Sequence, residues 1–238
     1  MKLSDFRVLT FDCYGTLIDW ERGLLAALAP LRERSGQALS DDQVLEAFAL
    51  AESAQQRLTP SMPYAQVLGA VHAKLASAWS AAPDAAAGAR FGASVGDWPA
   101  FPDTPDALRY LKQHFRLVIL SNVDRVSFAR SLPRLGVPFD AVYTAQDIGS
   151  YKPDPRNFAY MLDRLAVDGV AKTQVLHVAQ SLFHDHVPAN AIGLASAWID
   201  RRHAVGGSGA SAQVDGDVRY DFRFTSMAAM AEAHRSQG

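Results

Sequence analysis

The sequence lacks the features that mark secreted, membrane-spanning and nucleic-acid-binding proteins. It contains a single cysteine, Cys13, which excludes an intrachain disulfide and fits a reducing compartment. Residues 1–7 show no apolar segment of a secretory signal, and no apolar run approaches the roughly 18 residues of a membrane-spanning helix. The formal net charge is only −2 at pH 7, so we expect no surface for nucleic acid or for a membrane. These absences together predict a soluble, cytoplasmic protein.

The composition is otherwise that of an ordinary globular protein. With 238 residues, 49% of them hydrophobic and 20% charged, the chain can form one large domain or a core with a smaller insert. Short apolar runs alternate with segments of helical length, which is typical of a parallel sheet with helices on its faces. The predicted strands are residues 8–11, 117–120, 141–145, 175–179, 194–199 and 220–224, with a closing helix after the last.

One long interval, residues 21–96, breaks this alternation. It contains no convincing strand and instead shows apolar residues at helical spacing. One stripe consists of Val44, Leu45 and Phe48, with Glu52 as a candidate fourth member. We interpret the interval as three or four helices whose stripes form the core of a bundle. Such an insert after the first strand would lie over the carboxyl edge of the sheet, where α/β proteins bind ligands.

The expected architecture is therefore α/β, with a Rossmann-like parallel sheet and an inserted α-helical cap. The core domain is predicted to comprise residues 1–16 and 97–238, and the cap domain residues 17–96. The Gly- and Ser-rich residues 204–213 are predicted to form a surface loop before the last strand.

Distinctive polar residues follow four of the apolar runs. Because the ends of parallel strands meet at one edge of the sheet, we expect their side chains to converge on a single crevice. They are Asp12 after the first run, Ser121 and Asn122 after the second, Lys152 shortly after the third, and Gln180, Ser181 and Asp185 after the fourth.

These residue types indicate a hydrolysis in two steps. A carboxylate beside a lysine in a partly desolvated site stays ionised and can act as a nucleophile, which is the role predicted for Asp12. Lys152 can orient that carboxylate and offset the charge of an anionic substrate, and Asn122 offers an amide donor. Asp185 is placed to activate a water molecule. The expected intermediate is an ester or acyl phosphate on Asp12.

The same residues in this order resemble the haloacid dehalogenase superfamily, in its subgroup with a helical cap after the first strand. The four motifs are Asp12-Cys13-Tyr14-Gly15-Thr16-Leu17, Ser121-Asn122, Lys152-Pro153 and the segment that holds Asp185. The resemblance covers nearly the whole chain. It implies a Rossmann-like core in which Asp12 is the nucleophile, and a homodimer is plausible from the family alone.

Tyr14 favours one branch of this superfamily. Most members are Mg²⁺-dependent phosphatases, whose first motif carries a second aspartate at the place of Tyr14 to protonate the departing alkoxide. A halide is a very weak base and needs only hydrogen-bond donors. The first motif is accordingly similar to that of L-2-haloacid dehalogenases. Gln180 also stands where phosphatases usually have a metal-binding aspartate, so the resemblance implies no metal and no cofactor, with Mg²⁺ expected only for a phosphatase.

The halide-binding residues typical of that branch are only partly matched in this sequence. The branch typically uses an arginine early in the cap to receive the halide, whereas the matching position here is apolar, near Ala49. Arg57, further along the same helix, is a candidate replacement. The candidate substrate-binding residues are Tyr14, Thr16, Arg57, Asn122, Ser181 and His184, and the candidate catalytic residues are Asp12, Ser121, Asn122, Lys152 and Asp185.

Three functions are compatible with these residues. The first is a metal-independent dehalogenase of small 2-haloalkanoic acids. The second is a small-molecule phosphatase or another hydrolase with an aspartate nucleophile, against which Tyr14 and Gln180 count. The third is a non-catalytic binding module, which the missing cap arginine keeps open. The expected partner of an enzyme is a small anionic molecule.

Overall fold

The computed structural model describes residues 1–204, 210, 214 and 216–237. Six strands form one sheet in the order β3-β2-β1-β4-β5-β6, and each neighbouring pair is parallel. This order, with β1 inside the sheet, is that of a doubly wound α/β fold. The predicted fold class is confirmed. The strands are β1 (Val8–Phe11), β2 (Arg116–Ser121), β3 (Ala141–Thr144), β4 (Val175–Ala179), β5 (Ala195–Ile199) and β6 (Phe222–Phe224).

The described part of the chain contains ten α-helices. Short 3₁₀-helices span Leu3–Asp5, Ser94–Asp97 and Lys172–Gln174, and a π-helical turn spans Leu182–His186. The α-helices are α1 (Trp20–Ser35), α2 (Asp41–Leu58), α3 (Tyr64–Ala78), α4 (Ala85–Ala93), α5 (Thr104–Leu111), α6 (Arg125–Leu135), α7 (Ala145–Ile148), α8 (Arg156–Val167), α9 (Val187–Ala191) and α10 (Met227–Arg235).

The central strands are buried on both faces, which explains why their sequences are continuous apolar runs rather than alternating ones. All four residues of β1 and all five of β4 are buried. Because successive side chains of a strand point to opposite faces, Leu9 joins one apolar cluster and Val8 the other. The sheet is therefore covered on both sides, and its free edge for a ligand is the carboxyl end of the strands.

Helices α1 to α4 form the insert that follows β1, and we call them the cap helices. Ser40 begins α2 by accepting a hydrogen bond from the Gln43 backbone, and the Gln43 side chain accepts one from the Ser40 backbone. Helices α3 and α4 approach closely at Gly92, where a Cβ atom would lie 2.1 Å from the Ala65 carbonyl oxygen. Glycine is required there because any side chain would push the two helices apart.

Two further expectations concern the chain as a whole. The division into a core and a cap at residues 17 and 96 stays a prediction. The predicted loop 204–213 lies outside the described residues except for Ala204 and Ala210. Among the described residues no helix combines the length and apolar character needed to cross a membrane.

Candidate active site

Asp12 lies immediately after β1, at the carboxyl edge of the sheet. Its backbone N–H donates to the Val178 carbonyl of β4 at 3.1 Å, which continues the pairing of the two strands by one residue. The chain then turns sharply at Gly15, whose φ of +96° disfavours any residue with a side chain. A Cβ atom there would also lie within 3.3 Å of the Gln180 side chain. The turn therefore fixes Asp12 at the mouth of the crevice and keeps the chain close to the strand-end residues around it.

Lys152 joins the two carboxylates of the site. Its Nζ donates to Asp12 Oδ1 at 2.9 Å, to Asp185 Oδ1 at 2.6 Å and to the Leu120 carbonyl at 3.0 Å. The side chain is 1% exposed. Burial alone would lower the pKa of Lys152, but the two neighbouring carboxylates raise it above its ordinary value. All three N–H bonds of the ammonium are thus used within the protein, and its charge is shared between the two acids.

The carboxylate of Asp12 is oriented from two sides. Thr16 donates to Oδ2 at 2.8 Å, and Lys152 holds Oδ1. Burial raises the pKa of Asp12, and the hydrogen bonds and charge of Lys152 oppose that rise. A carboxylate that has lost its hydration shell and is held in one orientation is a stronger nucleophile than one in water.

Asp185 is held by a second hydrogen-bond partner, His177, that sequence reasoning missed. His177, on β4, lies with Nε2 2.9 Å from Asp185 Oδ1 and with Nδ1 2.9 Å from Thr10 Oγ1. Burial would raise the pKa of Asp185, but Lys152 and His177 bring it well below the ordinary value. The other oxygen, Oδ2, is buried and accepts no hydrogen bond from the described residues. It is therefore the acceptor that remains for a water molecule.

Ser121 and Asn122 differ in whether their side chains have hydrogen-bond partners. The hydroxyl of Ser121 is buried, lines the cavity and has no partner among the described residues, so it is free to bind a substrate. Asn122 donates from Nδ2 to the Lys152 carbonyl at 3.0 Å and accepts from the Lys152 N–H at 2.7 Å. The amide predicted to contact substrate is thus engaged with the backbone of Lys152, and it holds that lysine in position.

A small cavity of about 40 Å³ connects these groups with the cap helices. The strand ends supply one wall, and α1, α2 and α3 supply the other. The cavity is lined by Asp12, Tyr14, Trp20, Glu52, Gln56, Tyr64, Ser121, Asn122, Lys152, Gln180, Ser181, His184 and Asp185.

Glu52 is the unexpected member of this lining. It lies on the buried face of α2 that the apolar stripe predicted, and only 4% of it is exposed. Tyr64 of α3 donates to its Oε1 at 2.6 Å. Burial raises the pKa of Glu52 to about 7, and the hydrogen bond from Tyr64 opposes the rise only in part. The cap helices therefore present a buried carboxyl to the cavity, and no arginine of the described chain lines it.

Of the remaining residues predicted to contact substrate, Tyr14 and His184 line the cavity, whereas Thr16 does not. The ring of Tyr14 lines the cavity, but its hydroxyl pairs with Ser131 at 2.9 Å. His184 also lines the cavity, and its Nδ1 pairs with the Ser181 hydroxyl at 3.1 Å. Because burial lowers the pKa of His184 to about 4, its ring is neutral at pH 7 and offers no charge to a substrate carboxylate. Thr16 is fully buried behind Asp12 and acts on that residue instead of on substrate.

Arg57 is not placed in the cavity around Asp12. It is exposed and lines a neighbouring cavity of about 330 Å³, together with Arg156. The two cavities share Gln56, Lys152 and His184, so they adjoin. Arg57 consequently stands beside the approach to the site, and it does not replace the missing halide-binding arginine within it.

A family model for haloacid dehalogenase-like hydrolases matches residues 6–180. That interval contains Asp12, which is the predicted nucleophile, as well as the cap helices and Lys152. The chain belongs to the haloacid dehalogenase-like hydrolases. Among curated proteins none matches it significantly.

This hydrolase has the fold of several solved structures. It is 23% identical to the L-2-haloacid dehalogenase PA0810, with a TM-score of 0.77 and coverage of 98% of this chain and 100% of that one. It is 19% identical to the L-2-haloacid dehalogenase of Xanthobacter autotrophicus with chloropropionic acid covalently bound, at a TM-score of 0.78 and coverage of 98% and 100%. It is 18% identical to the HAD-hydrolase YfnB of Bacillus subtilis bound to magnesium, at a TM-score of 0.75 and coverage of 97% and 99%. A shared fold does not decide the reaction, so the residues of the site must do so.

The donor set of this hydrolase does not fit Mg²⁺, which prefers several hard oxygen ligands in octahedral geometry. Both oxygens of Asp12 already accept hydrogen bonds, from Lys152 and Thr16. Gln180 brings a neutral amide to the position where a second carboxylate would be needed. Within the described ranges no group of three or more His, Cys, Asp and Glu side chains is arranged to hold a metal ion.

Proposed function

We propose that this hydrolase cleaves the carbon–halogen bond of small 2-haloalkanoic acids through an ester on Asp12, without a metal ion. The observation that supports this proposal most directly is the buried group of Asp12, Lys152 and Asp185. In it, Lys152 binds both Asp12, the nucleophile, and Asp185, the acceptor for water. Tyr14 supports the choice of halide as leaving group, because the first motif supplies no acid to protonate an alkoxide. A cytoplasmic location, an anionic substrate and a homodimer belong to the same proposal.

In the first step, an oxygen of Asp12 attacks the halogen-bearing carbon of the substrate. The carbon–halogen bond breaks, its electron pair leaves with the halide, and a carbon–oxygen ester bond forms. Thr16 and Lys152 hold the carboxylate so that the reacting atoms approach in one orientation. Ser121 donates to the substrate carboxylate, a role supported by its buried hydroxyl, which has no partner among the described residues.

In the second step, a water molecule attacks the carbonyl carbon of the Asp12 ester. Asp185 Oδ2 accepts a hydrogen bond from that water, while His177 and Lys152 hold Oδ1. The bond between that carbon and the ester oxygen, which came from Asp12, breaks. This oxygen leaves as the hydroxyl of a 2-hydroxy acid, and the carboxylate of Asp12 is regenerated with an oxygen atom from water. One proton and one halide are released for each substrate and water consumed. Because the pKa of Asp185 is low, this carboxylate orients the water and does not retain its proton.

The test is halide release from 2-chloro-, 2-bromo- and 2-fluoroalkanoic acids in the presence of EDTA, with Asp12→Asn as the inactive control. Turnover in H₂¹⁸O should place ¹⁸O in the side chain of Asp12, which mass spectrometry of the peptide detects, because water attacks the ester at the aspartyl carbon. Phosphate release from an aryl phosphate that depends on Mg²⁺, without halide release, would favour a phosphatase. Inactivity in both assays would favour a binding module.

A further inference from the structure

The part of the cavity that faces Asp12 from the cap has an unusual charge for a site that receives an anion. Its polar side chains there are Glu52, Gln56 and Tyr64, and no arginine lines this cavity within the described chain. The one cation of the lining, Lys152, is already shared between two carboxylates. A departing anion therefore finds no cation that is free to stabilise it, and it must rely on neutral hydrogen-bond donors.

Glu52 can be such a donor only while its carboxyl carries a proton. Burial raises its pKa to about 7, so the neutral form is well populated up to that pH. Tyr64 donates to Oε1, which acts as the carbonyl oxygen of the neutral acid. No hydrogen bond to the other oxygen, Oε2, is present among the described residues, and the side chain lines the cavity. In the neutral form that oxygen carries the O–H, which is left to bind a ligand.

The charges in the site favour the same protonation state. Two carboxylates, Asp12 and Asp185, already face one ammonium, Lys152. An ionised Glu52 would add a third negative charge to the lining of this cavity, and an anionic substrate would add a fourth. Repulsion between buried like charges is relieved when one carboxyl takes up a proton. Binding of an anion is therefore expected to hold the proton on Glu52.

We propose that Glu52 donates a hydrogen bond to the atom that leaves when Asp12 attacks, and that it thereby favours leaving atoms that are strong hydrogen-bond acceptors. This inference rests on the proposed function. The electron pair of the broken bond stays on the leaving atom, the hydrogen bond from Glu52 Oε2–H stabilises the charge that develops there, and the proton remains on Glu52. Among halides the gain is largest for fluoride, the strongest acceptor, and smallest for bromide or iodide.

The kinetic test compares Glu52→Gln, which keeps a neutral donor but cannot ionise, with Glu52→Leu, which has no donor. In the natural protein kcat/KM should fall about tenfold for each pH unit above about 7, as Glu52 loses its proton. Glu52→Gln should remove this alkaline fall. Glu52→Leu should also remove the alkaline fall, but it should lower kcat/KM below about pH 7, where the natural Glu52 carries its proton, and more for a 2-fluoro acid than for the matching 2-bromo acid. Glu46→Gln, an exposed glutamate on the same helix, is the matched control and should behave as the natural protein does.

A second measurement separates the failure of this inference from the failure of the proposed function, because it needs no turnover. Binding of fluoride ion, followed by ¹⁹F NMR, should be about tenfold weaker at pH 8 than at pH 6 in the natural protein, and should lose this pH dependence in Glu52→Gln. Absence of halide release together with pH-dependent fluoride binding would reject the dehalogenase and keep the donor. Halide release with a pH profile that Glu52→Gln and Glu52→Leu leave unchanged would overturn the donor and keep the dehalogenase. Fluoride binding that is absent, or equal at both pH values, would also overturn the donor.

Discussion

His177 Nε2 lies 2.9 Å from Asp185 Oδ1, in a part of the molecule where neither side chain is more than 1% exposed. The other ring nitrogen pairs with Thr10 on the neighbouring strand, so the imidazole is held from both sides. This arrangement leaves Oδ2 of Asp185 without a hydrogen-bond donor from the described part of the chain. The orientation of Asp185, the proposed water acceptor, is thus set by Lys152 and by a histidine that does not line the cavity.

Replacing His177 should therefore slow the hydrolysis of the ester more than its formation. We expect His177→Phe to lower kcat by about 10- to 100-fold, since a hydrogen bond to a charged group contributes about 1.5–3 kcal/mol. His177→Gln, whose amide can donate near the position of Nε2, should recover part of the loss. Rapid-quench measurement should show a burst of about one halide per site followed by slow turnover. An unchanged kcat without a burst in His177→Phe would assign His177 a purely structural role.

Thr16 should contribute to the first step instead. Its hydroxyl donates to Asp12 Oδ2 and accepts from the Gln180 N–H at 2.9 Å, so Thr16→Val removes both contacts at nearly constant volume. We expect kcat/KM to fall about 10- to 100-fold because the nucleophile loses one of its two orienting donors. Thr16→Ser, which keeps the hydroxyl, is the matched control. If Thr16→Val and Thr16→Ser lose activity equally, the hydroxyl does not orient Asp12.

The sequence was sufficient to predict the parts of the site that depend on strand ends. Asp12 and Asp185 follow runs that match β1 and β4, and the topology of a parallel sheet brings those ends to one edge. Lys152 was predictable for the same reason, although it comes eight residues after β3. Such groups are placed by the backbone alone, and no packing detail is needed to bring them together.

The cap-side residues were not predictable in the same way. The apolar stripe of α2 put Glu52 on a buried face, but the pattern could not tell which buried face of the bundle meets Asp12. That depends on how α2 and α3 pack, including the Tyr64 contact. His177 was hidden for a related reason, because it stands within a fully buried strand. The available signal was chemical: a buried polar side chain needs a partner, and a histidine in a buried strand therefore points to one.

The raised pKa of Glu52 also affects the stability of the protein, with a definite sign. Its pKa rises from an ordinary 4.5 to about 7 on folding. The folded protein therefore binds the extra proton between these pH values, and the free energy of unfolding falls as pH rises through that window. Glu52→Gln cannot lose stability in this way. The difference in the free energy of unfolding between Glu52→Gln and the natural protein should therefore change by about 3 kcal/mol in favour of the variant between pH 4 and pH 8.

Urea unfolding at pH 4, 6 and 8 measures this difference, with Glu46→Gln as the control for loss of a glutamate charge on the same helix. The control should change little between these pH values because Glu46 is exposed. A constant difference between Glu52→Gln and the natural protein at all three pH values would contradict a raised pKa for Glu52.

Arg57 should influence the arrival of substrate and not the chemistry. It is exposed, lines the cavity that adjoins the site, and forms no hydrogen bond or ion pair with other described residues, whereas Arg156 in the same lining is paired with Asp154. Its charge can attract an anionic substrate over several ångströms, an effect that salt screens. For Arg57→Gln we expect kcat/KM to fall about two- to fivefold at low ionic strength, with kcat unchanged and the difference nearly lost in 0.5 M salt. Arg22→Gln, an exposed arginine at the start of α1, is the control and should have no such effect. A loss of kcat in Arg57→Gln that persists in high salt would instead mean that Arg57 enters the site and contacts the reacting substrate.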